Sequence, residues 1–248
     1  MNHLMQPPAP WAWALGIPLV VGLAAALFRV VRVSAFFAGF PLGILVLRLG
    51  GLGGFLVLSG FFVLGTVLTR VGFHAKDALG VAEEAGGRRG ASNVFANCGA
   101  GLLLLLARAV LAGRGLQPAG EGVLWAAFVG SFATAASDTG SSEIGQLLGR
   151  HPISLRTFRP VPVGTQGAVS LEGLAAGLLA AALMAALGWG LGLLHAGSAL
   201  AVTLGGFLGN VMESLAGTWG RRVLPHGMLN FANTVIGAAL AAGGAALL

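Results

Sequence analysis

A chain of 248 residues that is 56% hydrophobic and only 9% charged, with a mean hydropathy of +0.87, lies far from the ~25% charged residues of a soluble domain. It is therefore an integral membrane protein, and soluble enzyme classes are excluded. The formal charge of +6 is scattered between apolar runs and not gathered in an arm or on one helix face, so it marks membrane topology and excludes nucleic acid as a partner.

A membrane span needs about 20 apolar residues, and the chain divides accordingly. The first run, Trp11 to Phe28, has no basic residue before it and Arg29 and Arg32 after it. That is the reverse of a secretory signal peptide, so it reads as a retained span. Ser34 to Leu49 and Leu52 to Thr69 follow, joined by little more than Gly50 and Gly51; they read as a tight hairpin or a partly re-entrant pair. After a long connection, 70–92, come Asn93 to Ala112 and Gly122 to Leu148. A second long connection, 149–167, leads to Ala168 to Leu194, Ser198 to Trp219 and Leu229 to Leu248. The expectation is an all-α, polytopic membrane helix bundle of about eight spans in a single domain, residues 1–248.

Arg29, Arg32, Arg70, Lys76, Arg88, Arg89, Arg150, Arg156, Arg159, Arg221 and Arg222 fall on one side of this topology. Only Arg48 and Arg114 fall on the other, with Arg108 inside a span. The positive-inside rule puts the first set in the cytoplasm and both termini outside, in the plasma (inner) membrane. Glycine and alanine recurring four apart, as at Gly173 and Gly177, suit close helix packing in lipid. Cys98 is the only cysteine, which excludes an intramolecular disulfide.

The acids are few and informative. Asp138 and Glu143 fall in the inner third of the fifth span and Glu213 at a similar depth in the seventh; at 1.5 Å per residue, Asp138 and Glu213 lie roughly 23 Å from the outer ends. An ionised carboxylate at such a depth is costly unless paired or metal-bound, so it marks a functional site. The string Asp138-Thr139-Gly140-Ser141-Ser142 is that of pepsin-like proteases. However, those need a second such aspartate and a tyrosine on an all-β scaffold; here there is no tyrosine, and the other aspartate is Asp77 in a loop.

In a regular helix, residues five apart point about 140° away from each other. For Asp138 and Glu143 to hold one ion, the helix must break, and Gly140, Ser141 and Ser142 are poor helix formers. With Glu213 they would then form a Mg²⁺ site, since Mg²⁺ takes carboxylates together with substrate phosphates. The structural alternative is that bundle neighbours satisfy the acids. Lys76, Arg88, Arg89, Arg156 and Arg159 are the candidate phosphate-neutralising cations. The Gly-rich loop at Gly164, Thr165 and Gly167, and a helix start near Asn93, suit anion binding. Asn97, Thr139, Ser142, Ser214, Asn230 and Asn233 are candidate hydrogen-bonding residues. No two histidines have zinc-ligand spacing.

Five strings carry a resemblance: GVAEEAGGRRGASNVFAN (80–97), SDTGSSEIG (137–145), VPVGTQGAVS (161–170), GNVMESLAG (209–217) and LNFANT (229–234). In this order they resemble the transmembrane protein 19 family, which includes the plant phytyl-phosphate kinase of vitamin E synthesis. The chain departs from that family in carrying Gly140 where an aromatic is usual and Glu213 where some members have aspartate. The resemblance implies phosphoryl transfer from a nucleoside triphosphate, CTP before ATP, to an isoprenoid monophosphate, giving the diphosphate with Mg²⁺ as cofactor. Partners are then the nucleotide, the lipid phosphate and membrane lipids, and a second copy in a homodimer is admitted. A CDP-lipid-forming cytidylyltransferase and a small-anion transporter are the alternatives.

Overall fold

The computed structural model describes residues 9–114, 120–218 and 226–248; Arg221 and Arg222 lie outside them. Helix α1 spans Trp11–Leu27, α2 Val33–Arg70, α3 Phe73–Ala78, a short turn α4 Glu84–Gly87, α5 Ala91–Gly113 and α6 Glu121–Leu148. A two-residue strand β1, Ile153–Ser154, pairs antiparallel with β2, Ala168–Val169. Helices α7 Leu171–Gly190, α8 Ala196–Gly217 and α9 His226–Leu247 complete an all-helical bundle.

Five of the described helices are long and apolar enough to cross a membrane: α2, α5, α7, α8 and, from Gly227, α9. The remaining expected spans differ from these in kind. Helix α1 has only 17 residues, and α6 is too rich in Ser, Thr and Gly to reach the same hydropathy. The two expected spans at 34–49 and 52–69 form one element, α2, folded at Gly51, whose φ of 63° and ψ of −168° are open essentially to glycine alone. The chain doubles back there. Arg89 takes the Arg32 amide on its carbonyl at 3.0 Å and reaches Thr69 with its guanidinium, so the two ends of α2 lie side by side. The Gly51 bend packs at the opposite end of the bundle against Leu105, Trp125 and Leu193.

Helix α6 is the axis. Every residue from Trp125 to Ser137 is buried, with α7, α8, α9, α2 and α5 packed around it. A helix enclosed by protein does not need a lipid-compatible surface, which is why the most polar long helix can sit at the centre. Several of its hydroxyls bond back into their own helix, among them Ser131 to the Phe128 carbonyl at 2.7 Å and Thr134 to that of Gly130 at 2.7 Å, a pattern open to Ser and Thr inside helices.

Small residues allow the close approach. A Cβ on Gly173 of α7 would lie 2.7 Å from the Ser141 carbonyl of α6, and one on Gly177 2.9 Å from that of Ser137. At Gly173 the nearest atom is backbone and not a movable side chain. Gly173→Leu should therefore force α6 and α7 apart and destabilise the protein by about 1–3 kcal/mol, measured as a lowered unfolding midpoint in detergent.

Candidate active site

The small residues at 140–142 do not break α6. It runs without interruption from Glu121 to Leu148, because Gly140 and Ser141 are used for contact with α7 and not for a bend. Asp138 and Glu143 therefore keep the angular separation of a regular helix and face different partners, which corrects the expected convergence.

Asp138 turns toward α8. Its carboxyl lies within hydrogen-bond reach of the Glu213 carboxyl, and Asn233 on α9 donates its Nδ2 to Glu213 Oε2 at 2.9 Å. Three helices thus converge on one acidic pair. The pair lines a polar cleft of about 330 Å³ between α6, α8 and the loop that precedes α7. Ser141, Ser142, Asn210 and Ser214 contribute to its walls, and Gly164, Thr165 and Gly167 form one side. Asn210 donates to Ser141 Oγ at 2.7 Å, while its own Oδ1 is buried without a partner.

The loop is held over the cleft by two constraints. The β1–β2 pairing clamps Ile153 to Val169. Gly167, at φ +72°, presses on the end of α8 so closely that a Cβ would lie 2.5 Å from the Ser214 carbonyl oxygen and 2.6 Å from the Thr218 amide nitrogen. Only glycine fits, both for its backbone conformation and for space.

Glu143, by contrast, is buried and forms an ion pair with Lys76. Lys76 is 0% exposed, and its Nζ also donates to the Thr69 carbonyl at 3.0 Å and the Leu68 carbonyl at 3.4 Å. This arrangement pins α3 to the end of α2 and to α6. Neither residue lines the cleft, so the structure takes Lys76 away from the phosphate-binding set and Glu143 away from the metal set. Among the described residues no three His, Cys, Asp or Glu cluster as metal ligands; the carboxylate site that forms has two members. A site of two carboxylates facing an open polar cleft fits Mg²⁺, which binds through one or two carboxylates and takes its other ligands from phosphates and water.

Arg89 occupies the space between the ends of α2 and α6. Its guanidinium donates to Thr69 Oγ1 at 3.3 Å and to Thr139 Oγ1 at 3.5 Å, the residue after Asp138. Both partners are neutral hydroxyls. Asn93 donates to Glu83 at 3.2 Å, and Asn97, one turn further on α5, donates to the Asn93 carbonyl at 3.0 Å.

The remaining expected residues are not brought to the cleft. Arg88 is exposed and bonds its Nε to the nearby Ala85 carbonyl at 3.0 Å. Arg156 and Arg159 are exposed on the far turn of the 149–170 loop; long exposed cations on a loop serve topology and long-range attraction equally well. Asn230 is buried in α9 with its Oδ1 unbonded. Ser141 and Asn210 were not anticipated as site residues, although Asn210 lies three positions before Glu213 and so on the same helical face.

Among the proteins this chain is similar to are two named as membrane proteins. A curated membrane protein of Synechocystis, named as uncharacterized, is 38% identical over 207 residues, 82% of this chain and 78% of that protein. Protein VTE6, chloroplastic, of Arabidopsis thaliana is 37% identical over 235 residues, 92% of this chain and 67% of that protein. An uncharacterized membrane protein of Methanocaldococcus jannaschii is 34% identical over 202 residues, 79% of this chain and 78% of that protein. No solved structure matches significantly. A family model described as integral membrane protein DUF92 matches residues 16–226, and the chain belongs to that family of integral membrane proteins.

Proposed function

We propose that this protein is an isoprenoid monophosphate kinase, transferring the γ-phosphoryl group of a nucleoside triphosphate, with CTP favoured over ATP, to a phytyl-like prenyl monophosphate. The observation that carries the reading is the Asp138–Glu213 carboxyl pair on the wall of a polar cleft, with Arg89 bonded to Thr139, the residue after Asp138. The ordered motif resemblance and the kinship to the plant plastid protein support the same activity.

In this reading the triphosphate lies in the cleft. The loop at Gly164–Gly167 approaches its oxygens, while Ser141, Ser142, Ser214 and Asn210 supply hydrogen bonds. Asn233 holds the Glu213 carboxylate in place. A Mg²⁺ ion bound by Asp138 and Glu213 would neutralise charge on the triphosphate. Arg89 receives the lipid phosphate, for which it has no competing carboxylate partner among the described residues. Phosphoryl transfer is catalysed chiefly by positioning and charge stabilisation. An oxygen of the lipid phosphate attacks the γ-phosphorus, the bond from that phosphorus to the β–γ bridging oxygen breaks, and the nucleoside diphosphate leaves. The attacking phosphate is already largely dianionic, its second pKa being about 6, so no side chain need remove a proton.

The cleft opens at the end of the bundle that carries the basic loops, because Glu213 and Ser214 sit in the last turn and a half of α8. A transporter would place its binding acids near the bilayer midplane, between broken helices, and α6 and α8 are unbroken. We place this end in the cytoplasm, with both termini outside, in the plasma membrane of the cell.

Purified protein in detergent, given Mg²⁺, CTP or ATP, and phytyl or geranylgeranyl monophosphate, should yield the prenyl diphosphate and the nucleoside diphosphate. With γ-labelled CTP the label should appear in the lipid. Label entering the lipid from the α-position, with pyrophosphate released, would establish the cytidylyltransferase and reject the kinase.

A further inference from the structure

A second cavity, of about 140 Å³, lies between α1, the α2 hairpin and α5. Its walls are apolar and aromatic, with Pro18, Phe36, Phe40, Phe55 and Phe62 among them. The Phe36 and Phe40 rings stack, with centroids 5.9 Å apart and planes 2° from parallel. One end is different: Arg89, Asn93 and Asn97 line it. Val21, another wall residue, is 41% exposed, so the α1 wall of the cavity is one side chain thick there.

Arg89 thus belongs to two places at once. It bounds the apolar cavity, and it donates to Thr139, the neighbour of Asp138 in the polar cleft. Among the described residues, its hydrogen-bonding side chains are two threonine hydroxyls. A guanidinium placed at the polar mouth of an apolar cavity, with no acid on it among the described residues, suits a ligand that is an anion at one end and hydrocarbon at the other.

We propose that this cavity binds the hydrocarbon chain of the lipid monophosphate, its phosphate resting on Arg89 and its first isoprene unit between Phe36, Phe40 and Phe55. The assignment rests on the lipid-phosphate reading above and adds where the chain lies and how much of it is recognised. A cavity of this size is close to the ~150 Å³ that encloses one benzene molecule. It therefore takes about one five-carbon branched unit, not the two acyl chains of a diacyl lipid, and the rest of the chain runs out past Val21 into the bilayer. The protein consequently reads the end of the chain nearest the phosphate and is indifferent to total length.

Gly39 lines the cavity, and a Cβ added there meets nothing within 4 Å. Gly39→Phe should therefore fill the space without displacing backbone. Binding is measured without nucleotide, by titrating geranyl and geranylgeranyl monophosphates into protein in detergent, with phosphatidic acid as a separate arm. The wild type should bind both prenyl phosphates with affinities within a factor of about three and phosphatidic acid at least tenfold more weakly. Gly39→Phe should lose about tenfold or more for both prenyl phosphates, the scale expected when a buried isoprene unit is expelled, while nucleotide affinity stays unchanged. In the wild type, a geranylgeranyl monophosphate carrying a photoreactive diazirine on its first unit should label peptides of α2 or α5.

Labelling of α7 or α8 instead, equal binding by Gly39→Phe, or phosphatidic acid binding as tightly as the prenyl phosphates would overturn the assignment. The labelling result stands even if the Phe variant fails to fold. Because binding is read without phosphoryl transfer, a lipid bound here with no kinase activity would sink the kinase reading and keep this one. Kinase activity with an unaltered lipid KM in Gly39→Phe would do the reverse.

Discussion

Asp138→Asn will abolish phosphoryl transfer and leave a folded protein. Asn has the same shape as Asp, and the site it occupies is a face-to-face carboxyl pair with Glu213. The amide keeps the size of the side chain and can still hydrogen-bond the Glu213 carboxyl. The unfolding midpoint in detergent without metal should accordingly change little. What is lost is a hard anionic oxygen for the cation. The turnover number should fall by about a thousandfold or more, the scale at which removing charge stabilisation from a water-excluded site appears in rate.

The second readout is linkage. In the wild type, Mg²⁺ with nucleotide at about 100 times Kd should stabilise the folded state by about 2.7 kcal/mol and raise the unfolding midpoint. Asp138→Asn should show little of that rise, and Glu213→Gln should behave likewise. Wild-type turnover in either variant would defeat the two-carboxylate site.

Lys76→Met will have the opposite profile, a large loss of stability. The Lys76–Glu143 pair is buried, and the ammonium also bonds the Thr69 and Leu68 carbonyls. Removing the lysine leaves a buried carboxylate unpaired and two carbonyls at the end of α2 short of a donor. Breaking such a pair costs about 3–5 kcal/mol. Glu143→Gln should cost less, because its amide oxygen still accepts a bond from the lysine. The double variant Lys76→Met/Glu143→Leu, which removes both charges, should recover most of the loss, since replacing a buried ion pair by apolar groups is often close to neutral. Chemical unfolding of the wild type and these three variants in detergent measures the differences. If Lys76 instead gripped phosphate, as its place in a basic loop suggested, Lys76→Met would raise the nucleotide KM at unchanged stability.

Much of the architecture was legible in the residues. Runs such as Trp11 to Phe28 and Gly122 to Leu148 declare their helices because hydropathy and length are local properties, and the observed α1 and α6 end within a residue of those limits. The bend at Gly50–Gly51 was legible for the same reason, two glycines interrupting an otherwise unbroken apolar stretch. Asp138 and Glu213 were legible as partners by depth alone, each lying near the same end of its helix.

Other features were not. The run Gly140-Ser141-Ser142 reads as a helix break by intrinsic propensity, yet α7 packs against it through Gly173 and Gly177, and that contact outweighs the propensity. Lys76 and Arg89 look alike in a basic loop. One is sealed against Glu143, while the other stands between an apolar cavity and Thr139. The cavity beneath α1 leaves no mark in the sequence, because its apolar wall residues, such as Pro18, Phe36 and Phe55, are each ordinary in an apolar span.

From its sequence alone the chain is determined to be a helical membrane protein with a few acids, asparagines and arginines gathered toward one end of its helices. Span length, hydropathy and charge are sums over neighbouring residues, so they need no knowledge of the fold. Which acid meets which partner was decided only by the tertiary structure. It depends on the rotation of each helix about its axis and on the closeness of approach that glycine contacts allow, and both are relations between segments far apart in the chain.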